Sequence, residues 1–258
     1  MDWLYPLSGF VVGAIVGLTG VGGGSLMTPL LVLIFGIHPA TAVGTDLLYA
    51  AITKAGGTVV HARQSHIDWR ITGLLASGSI PASVATIWVL SFLPKQSPAV
   101  SQVISVSLGI ALLLTALAIV FRQKLQRYAL SHAGDRTHTR FQSPTTVGVG
   151  MILGILVTVS SVGAGALGVA VLFFLHPKLP AIRIVGSDLA HAVPLTLVAG
   201  IGHWAIGGVD WSLLGSLLLG SLPGIWLGSR VAAKVPERVL RPMLASMLVL
   251  VGGKLISL

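Results

Sequence analysis

Two apolar runs in this chain are broken by glycine at matching places, and each is followed by a run that carries an acid. The first break reads Thr19-Gly20-Val21-Gly22-Gly23-Gly24-Ser25, with Val43-Gly44-Thr45-Asp46-Leu47-Leu48 beyond it. The second reads Ser160-Ser161-Val162-Gly163-Ala164-Gly165, with Val185-Gly186-Ser187-Asp188-Leu189-Ala190 beyond it. Apolar runs of about 18 residues or more, enough to cross a bilayer, recur along the whole length. Hydrocarbon accepts irregular backbone and carboxylates only where protein or a water-filled cavity surrounds them. The pattern therefore calls for an all-α integral membrane protein whose breaks and acids face an internal site.

Charged residues make up only 9% of the chain, where a soluble domain carries about a quarter. The net charge of +9 does not signal nucleic acid. The basic residues lie in short stretches between apolar runs, as membrane orientation requires, and no basic face with interleaved aromatics appears. Cysteine is absent, which removes disulfides, thiolate metal sites and thiol redox chemistry. No metal or other cofactor is expected. The start of the chain, Met1-Asp2-Trp3-Leu4-Tyr5-Pro6, lacks a basic leader and a small-residue cleavage site, so no removed signal peptide is expected.

Residues 7–18 and 25–36 are apolar pieces of about 12 residues, each too short to cross at about 1.5 Å per residue. Two short helices meeting at a glycine tip suggest a re-entrant hairpin, and one long broken helix is the competing form. Pro39 opens a helix to about His61, Asp68 another to about Phe92, and residues 99–121 form a further span. A polar stretch with Arg122, Lys124, Arg127, Arg136 and Arg140 then divides the chain. The pattern restarts with a broken run at 147–175 and helices from Pro180, Asp210 and about Val239. These readings divide the chain into a first repeat (1–121), a basic cytoplasmic loop (122–143) and a second repeat (144–258), with about eight hydrophobic segments in all.

Shifting one half by 142 residues lays Gly44, Asp46, His61, Asp68, Trp69, Gly78, Ser79 and Pro81 on Gly186, Asp188, His203, Asp210, Trp211, Gly220, Ser221 and Pro223. A shift of 141 lays Gly13, Val21, Gly22, Gly24 and Pro39 on Gly154, Val162, Gly163, Gly165 and Pro180. If each broken run returns to its own side, three crossings per half put every basic residue but Lys54, Lys95 and Lys254 on the cytoplasmic side. An odd number of crossings makes the halves inverted, a recurrent plan of secondary transporters with the site near mid-bilayer.

The Gly-Val-Gly-Gly-Gly-Ser tip at 20–25, the segment from Pro39 to Thr45 and the weaker copies at 162–165 and 180–187 resemble the sulfite exporter TauE/SafE family of membrane transporters. The resemblance covers nearly the whole chain outside the central loop. It implies export or exchange of small, often sulfur-containing, anions across a bacterial plasma membrane by a multi-pass protein. Where family members commonly carry a small polar residue after Gly-Thr, this chain has Asp46 and Asp188. Two acids fit a divalent anion such as sulfite only if they are protonated or carry the coupling proton.

Gly20, Gly22, Gly23, Gly24, Ser25, Gly163 and Gly165 are candidate substrate-binding residues, because amides at a helix start form an anion site. The structural alternative is tight turning and close helix packing. Thr45 and Ser187 are further candidates beside the acids. Lys54 has no basic counterpart, Thr196 standing in its place, and an intramembrane lysine best serves to attract an anion. Asp46 and Asp188 fit proton coupling or substrate contact, with helix capping as the alternative. His191, three residues after Asp188 on the same helical face, would share the proton. His61 and His203 read as interfacial, and the Asp-Trp pairs at 68–69 and 210–211 as caps with interface aromatics. The preferred function is an anion transporter, with or without proton coupling, with a small-anion substrate and the bilayer as its partners. The alternatives are a proton-coupled cation or amine carrier and an intramembrane aspartyl protease, the latter disfavoured because Thr45 and Ser187 precede the acids where glycine is expected.

Overall fold

The computed structural model describes residues 3–19, 24–94, 97–131, 142–232 and 237–257. Within them the chain forms α1 (Leu4–Thr19), α2 (Gly24–Leu33), α3 (Pro39–Arg63), α4 (Trp69–Ser91), α5 (Pro98–Ser131), α6 (Gln142–Ser160), α7 (Ala166–Leu175), α8 (Ala181–Ala205), α9 (Trp211–Ala232) and α10 (Glu237–Ile256). No strand forms among the described residues. By length and composition α4, α5, α6, α8 and α9 suit a bilayer, and α1, α7 and part of α10 are shorter apolar helices. The chain is an all-α integral membrane protein.

Both broken runs fold back on themselves. The Tyr5 ring, at the start of α1, lies 4.9 Å from that of Phe35, just past α2. At the start of α6, Gln142 Nε2 donates to Leu175 O at the end of α7 (3.2 Å), and Thr146 Oγ1 lies 3.1 Å from His176 Nε2. Each pair of helices is therefore a hairpin, which settles the alternative of one long broken helix.

Polarity misplaces one boundary. Residues 122–131, expected to begin the central loop, continue α5 to Ser131, and α6 already starts at Gln142. The segment Arg122-Gln123-Lys124-Leu125-Gln126-Arg127 consists of residues with high helix propensity. A helix can leave the apolar layer without ending.

The halves interlock through small residues. Gly9, Gly13 and Gly17 of α1 press on the backbone at Leu217, Ser221 and Ile225 of α9, while Gly220, Gly224 and Gly228 press on Pro6, Phe10 and Ala14. Both series ascend together, so α1 and α9 run parallel. In the same way Gly78 of α4 meets Val147, and Gly150 and Gly154 of α6 meet Leu75 and Ser79. Each hairpin thus packs its first helix on the opposite half. Glycine at every fourth residue lets backbones touch, which drives helix association in lipid. By contrast, α3 and α8 run antiparallel: Gly44 sits at His203 and Gly208, and Gly186 at His61 and His66. These directions bring Arg63, Arg70 and Arg183 to one end of the bundle.

Candidate functional site

The acids sit one to two turns inside α3 and α8, where those helices pass the second helices of the hairpins. Asp46 is fully buried and Asp188 is 1% exposed. Thr28 of α2 donates its hydroxyl to Asp46 Oδ2, and Asp46 Oδ1 has no partner. Asp188 lies against the Gly165 amide and Gly168 of α7, so closely that a Cβ on Gly168 would overlap the carboxylate. Its Oδ1 likewise has no partner. Each acid therefore meets the first turns of the hairpin helix in its own half, where the helix dipole favours negative charge.

The second tip is irregular for a physical reason. Ser161 (φ 60°), Gly163 (φ 124°) and Gly165 (φ 135°) all take left-handed backbone, which turns the chain between α6 and α7. Ser160 steadies the turn, its Oγ donating to Leu156 O at 2.7 Å and accepting from Val162 N at 3.2 Å. The turn leaves the Ala164 carbonyl facing inward, and Lys54 Nζ of α3 donates to it at 2.9 Å. A lysine from one half thus reaches the break of the other. Its ammonium is within electrostatic reach of Asp188 and Asp46. Between described residues, however, the one ion pair shorter than 4.0 Å is Arg183–Asp68.

Ser25 of α2, Thr115 of α5 and Ser161, Gly163 and Ala164 of the second tip line a small cavity with room for about one water molecule. The Ser161 and Thr115 hydroxyls have no partner. Ser161 lies near enough to act on the Asp46 carboxylate, though not in bonding geometry. The first and second hairpins therefore meet at this cavity. Gly24 opens α2, and Gly20, Gly22 and Gly23 lie outside the described residues.

His191 Nε2 pairs with Ser79 Oγ of α4 at 2.8 Å, and its Nδ1 has no partner. In the other half Tyr49, the residue matching His191, pairs with Ser221 Oγ of α9 at 2.6 Å. Ser221 matches Ser79, so one hydrogen bond is kept while its ring changes from phenol to imidazole. Thr28, Tyr49, Ser79, Thr115 and Ser221 escape a search for charged residues or glycine tips, and Ser161 lies within the second tip, where nothing singles it out. The repeat alignment already pairs Ser79 with Ser221, and that equivalence was the available signal.

Thr45 and Ser187, both fully buried, bond across the seams between halves. Thr45 Oγ1 accepts from Asp210 N at 3.1 Å, and Ser187 Oγ accepts from Asp68 N at 2.8 Å. Each hydroxyl thus holds the start of a helix in the opposite half. Asp68 and Asp210 cap those helices, accepting from Ile71 N (3.3 Å) and Leu213 N (2.9 Å). His203 is buried and its Nε2 lies 2.9 Å from Thr158 O, whereas His61 is partly exposed beside His66 with rings 5.8 Å apart.

Comparison with known proteins places this architecture. Residues 5–255 match the family model described as sulfite exporter TauE/SafE. A Bacillus subtilis protein named probable membrane transporter protein YjnA is 39% identical over 251 residues, 97% of this chain and 98% of its own length. Another from the same organism, probable membrane transporter protein YdhB, is 29% identical over 93% of this chain and 97% of its own length. A Methanocaldococcus jannaschii protein, probable membrane transporter protein MJ0441, is 26% identical over 96% of this chain and 93% of its own length. No solved structure matches the chain.

Proposed function

Because the chain belongs to the sulfite exporter TauE/SafE family and is a membrane transporter, we propose that it is a secondary transporter exporting small, often sulfur-containing, anions across the plasma membrane. The observation that carries this reading is the convergence of buried polar groups from both halves on one cavity. Lys54 crosses from α3 to the carbonyl of Ala164, and Ala164 lines that cavity together with the unpartnered hydroxyls of Ser161 and Thr115. Buried polar atoms without partners are costly in a bilayer unless they serve a substrate or water.

In this reading the Lys54 ammonium and the Ser25, Thr115 and Ser161 hydroxyls receive the anion. Gly163 and Gly165 open the backbone for it, and Gly20, Gly22, Gly23 and Gly24 do the same from the first tip. With both acids ionised, the site carries two negative charges against the one positive charge of Lys54. An entering anion would raise that imbalance, so its entry is coupled to protonation of Asp46 or Asp188, with His191 passing the proton. Thr45 and Ser187 hold the seams, which part alternately as the inverted halves rock. The antiparallel course of α3 and α8 supports that inversion, and the basic end of the bundle faces the cytoplasm.

The test is efflux from proteoliposomes loaded with sulfite, sulfate, a sulfonate, a carboxylate or an amine, with and without a pH gradient. Anion efflux accelerated by a proton gradient, and lost in Lys54→Ala at normal expression, is the expected result. Undiminished efflux in that variant removes Lys54 from the mechanism. The pair of buried acids also favours a cation or amine carrier, and flux that follows an amine gradient would select it.

A further inference from the structure

The two seams are alike in their bonds and unlike in their charge. At one, Thr45 takes the Asp210 amide and Asp210 Oδ1 accepts from Leu213 N, and no ion pair reaches this acid among the described residues. At the other, Arg183 of α8 faces Asp68 at 3.9 Å. Ser187, one turn on, donates its hydroxyl to Arg183 O (2.7 Å) and accepts from Asp68 N (2.8 Å), so Arg183 is part of the seam itself. Under the two repeat shifts its position matches Thr41 or Ala42, both uncharged. The pair is loose for a structural reason. Asp68 Oδ1 accepts the amides of Arg70 (3.1 Å) and Ile71 (3.3 Å), which ties the carboxylate to the start of α4 and keeps it from following the guanidinium. The guanidinium makes no hydrogen bond to a described residue, although its Nε is buried. An ion pair at that distance, with 41% of the arginine side chain exposed, contributes little. An oxyanion, by contrast, meets a guanidinium through two parallel N–H···O bonds and would satisfy the buried donor.

We propose that Arg183 is the capture residue for a small oxyanion at the basic end of the bundle, exchanging its loose pairing with Asp68 for the anion at the Ser187 seam. The seam at the opposite end carries Asp210 without a paired cation, which disfavours the same anion there. Capture at one end and release at the other give the carrier a direction. The inference rests on the transporter reading, in which the basic end faces the cytoplasm, but its test does not require transport.

The experiment is thermal melting of the purified full chain in detergent, titrated with sodium sulfite against sodium chloride at constant ionic strength. Wild type should show a saturable rise in melting temperature. Arg183→Gln should raise the half-saturating sulfite concentration about 10- to 100-fold, the loss of a hydrogen bond to a charged group. Arg183→Lys, which keeps the charge without the fork, should fall between the two. Asp68→Asn should lower the concentration, because asparagine still caps α4 while the competing charge is gone. A merely structural role for the pair would move Arg183→Gln and Asp68→Asn the same way. No rise in wild type, no change in Arg183→Gln, or an unchanged or raised value in Asp68→Asn would overturn the proposal. Should Arg183→Gln fail to fold, Arg183→Lys and Asp68→Asn carry the same test. Sulfite efflux from proteoliposomes provides the separation: absence of flux in wild type refutes the transporter reading and leaves the binding result to decide on Arg183.

Discussion

The two seams offer a direct handle on the proposed alternating access, because each is held by one matching hydrogen bond. Thr45 Oγ1 takes the Asp210 amide (3.1 Å) and Ser187 Oγ takes the Asp68 amide (2.8 Å), at opposite ends of the antiparallel pair α3 and α8. Thr45→Val keeps shape and removes the acceptor, and Ser187→Ala does the same at the other end. A hydrogen bond of this kind contributes about 0.5–1.5 kcal/mol net, so deleting one should shift the opening equilibrium about 2- to 13-fold. The shift must be one-sided, since the other seam keeps its bond. Thr72 Oγ1 still donates to Ser187 O (3.2 Å) and Arg183 still faces Asp68 (3.9 Å), so the Ser187 seam should respond less than the Thr45 seam. The chain has no cysteine, so single reporters at Ile67→Cys and Val209→Cys read each seam without background. An impermeant maleimide applied to oriented vesicles should label Val209→Cys faster in Thr45→Val and Ile67→Cys faster in Ser187→Ala. If both substitutions quicken the same reporter, or neither changes any rate, the seams do not govern access.

The glycine contacts give a contrast within one residue type. Gly13→Ala or Gly224→Ala drives a methyl into the backbone of the facing helix and should lower the melting temperature, at a cost of about 1–3 kcal/mol. Gly73→Ala meets nothing within 4 Å in mid-helix and should stabilise by about 0.5–1 kcal/mol, so equal effects at these positions would refute the interlocking of α1 and α9. For the site, a double-mutant cycle of Thr28→Val and Asp46→Asn in detergent unfolding should give a coupling of about 1.5–3 kcal/mol, the range for a hydrogen bond to a charged group. Additivity within about 0.5 kcal/mol would mean that Thr28 does not hold the Asp46 carboxylate.

What could be read from the chain, and what could not, divides along a physical line. Length shows that pieces the size of α2 and α7 cannot cross alone, but it leaves a hairpin and one long broken helix both open. The repeat follows from identities such as Asp46 with Asp188, because bilayer constraints leave few acceptable residues at such places. The sequence also shows that Thr45 and Ser187 are polar groups inside a membrane protein. It does not show that their hydroxyls take amides from the other half, because those bonds span 165 and 119 residues. Tyr49 was hidden by comparing identities, since His191 shares its place and bond but not its chemistry. The extension of α5 was obscured because polarity marks where a helix leaves the lipid and says nothing of where it ends.

The differences between the halves carry as much of the mechanism as the likeness. A perfect twofold would place two lysines at the centre, and like charges at a shared site repel. Lys54 on one side and Thr196 on the other resolve this, giving a single cation facing two acids. The same exchange separates Tyr49 from His191, so the matching serines Ser221 and Ser79 face a phenol in one half and an imidazole in the other. The scaffold of hairpins, glycine contacts and seam bonds stays symmetric, which lets the two sides open by equivalent movements. The residues at its centre have diverged, so under the proposed mechanism those movements act on one site with one lysine between two acids. A carrier needs both properties together: equivalent routes to each side, and a single place for the substrate between them.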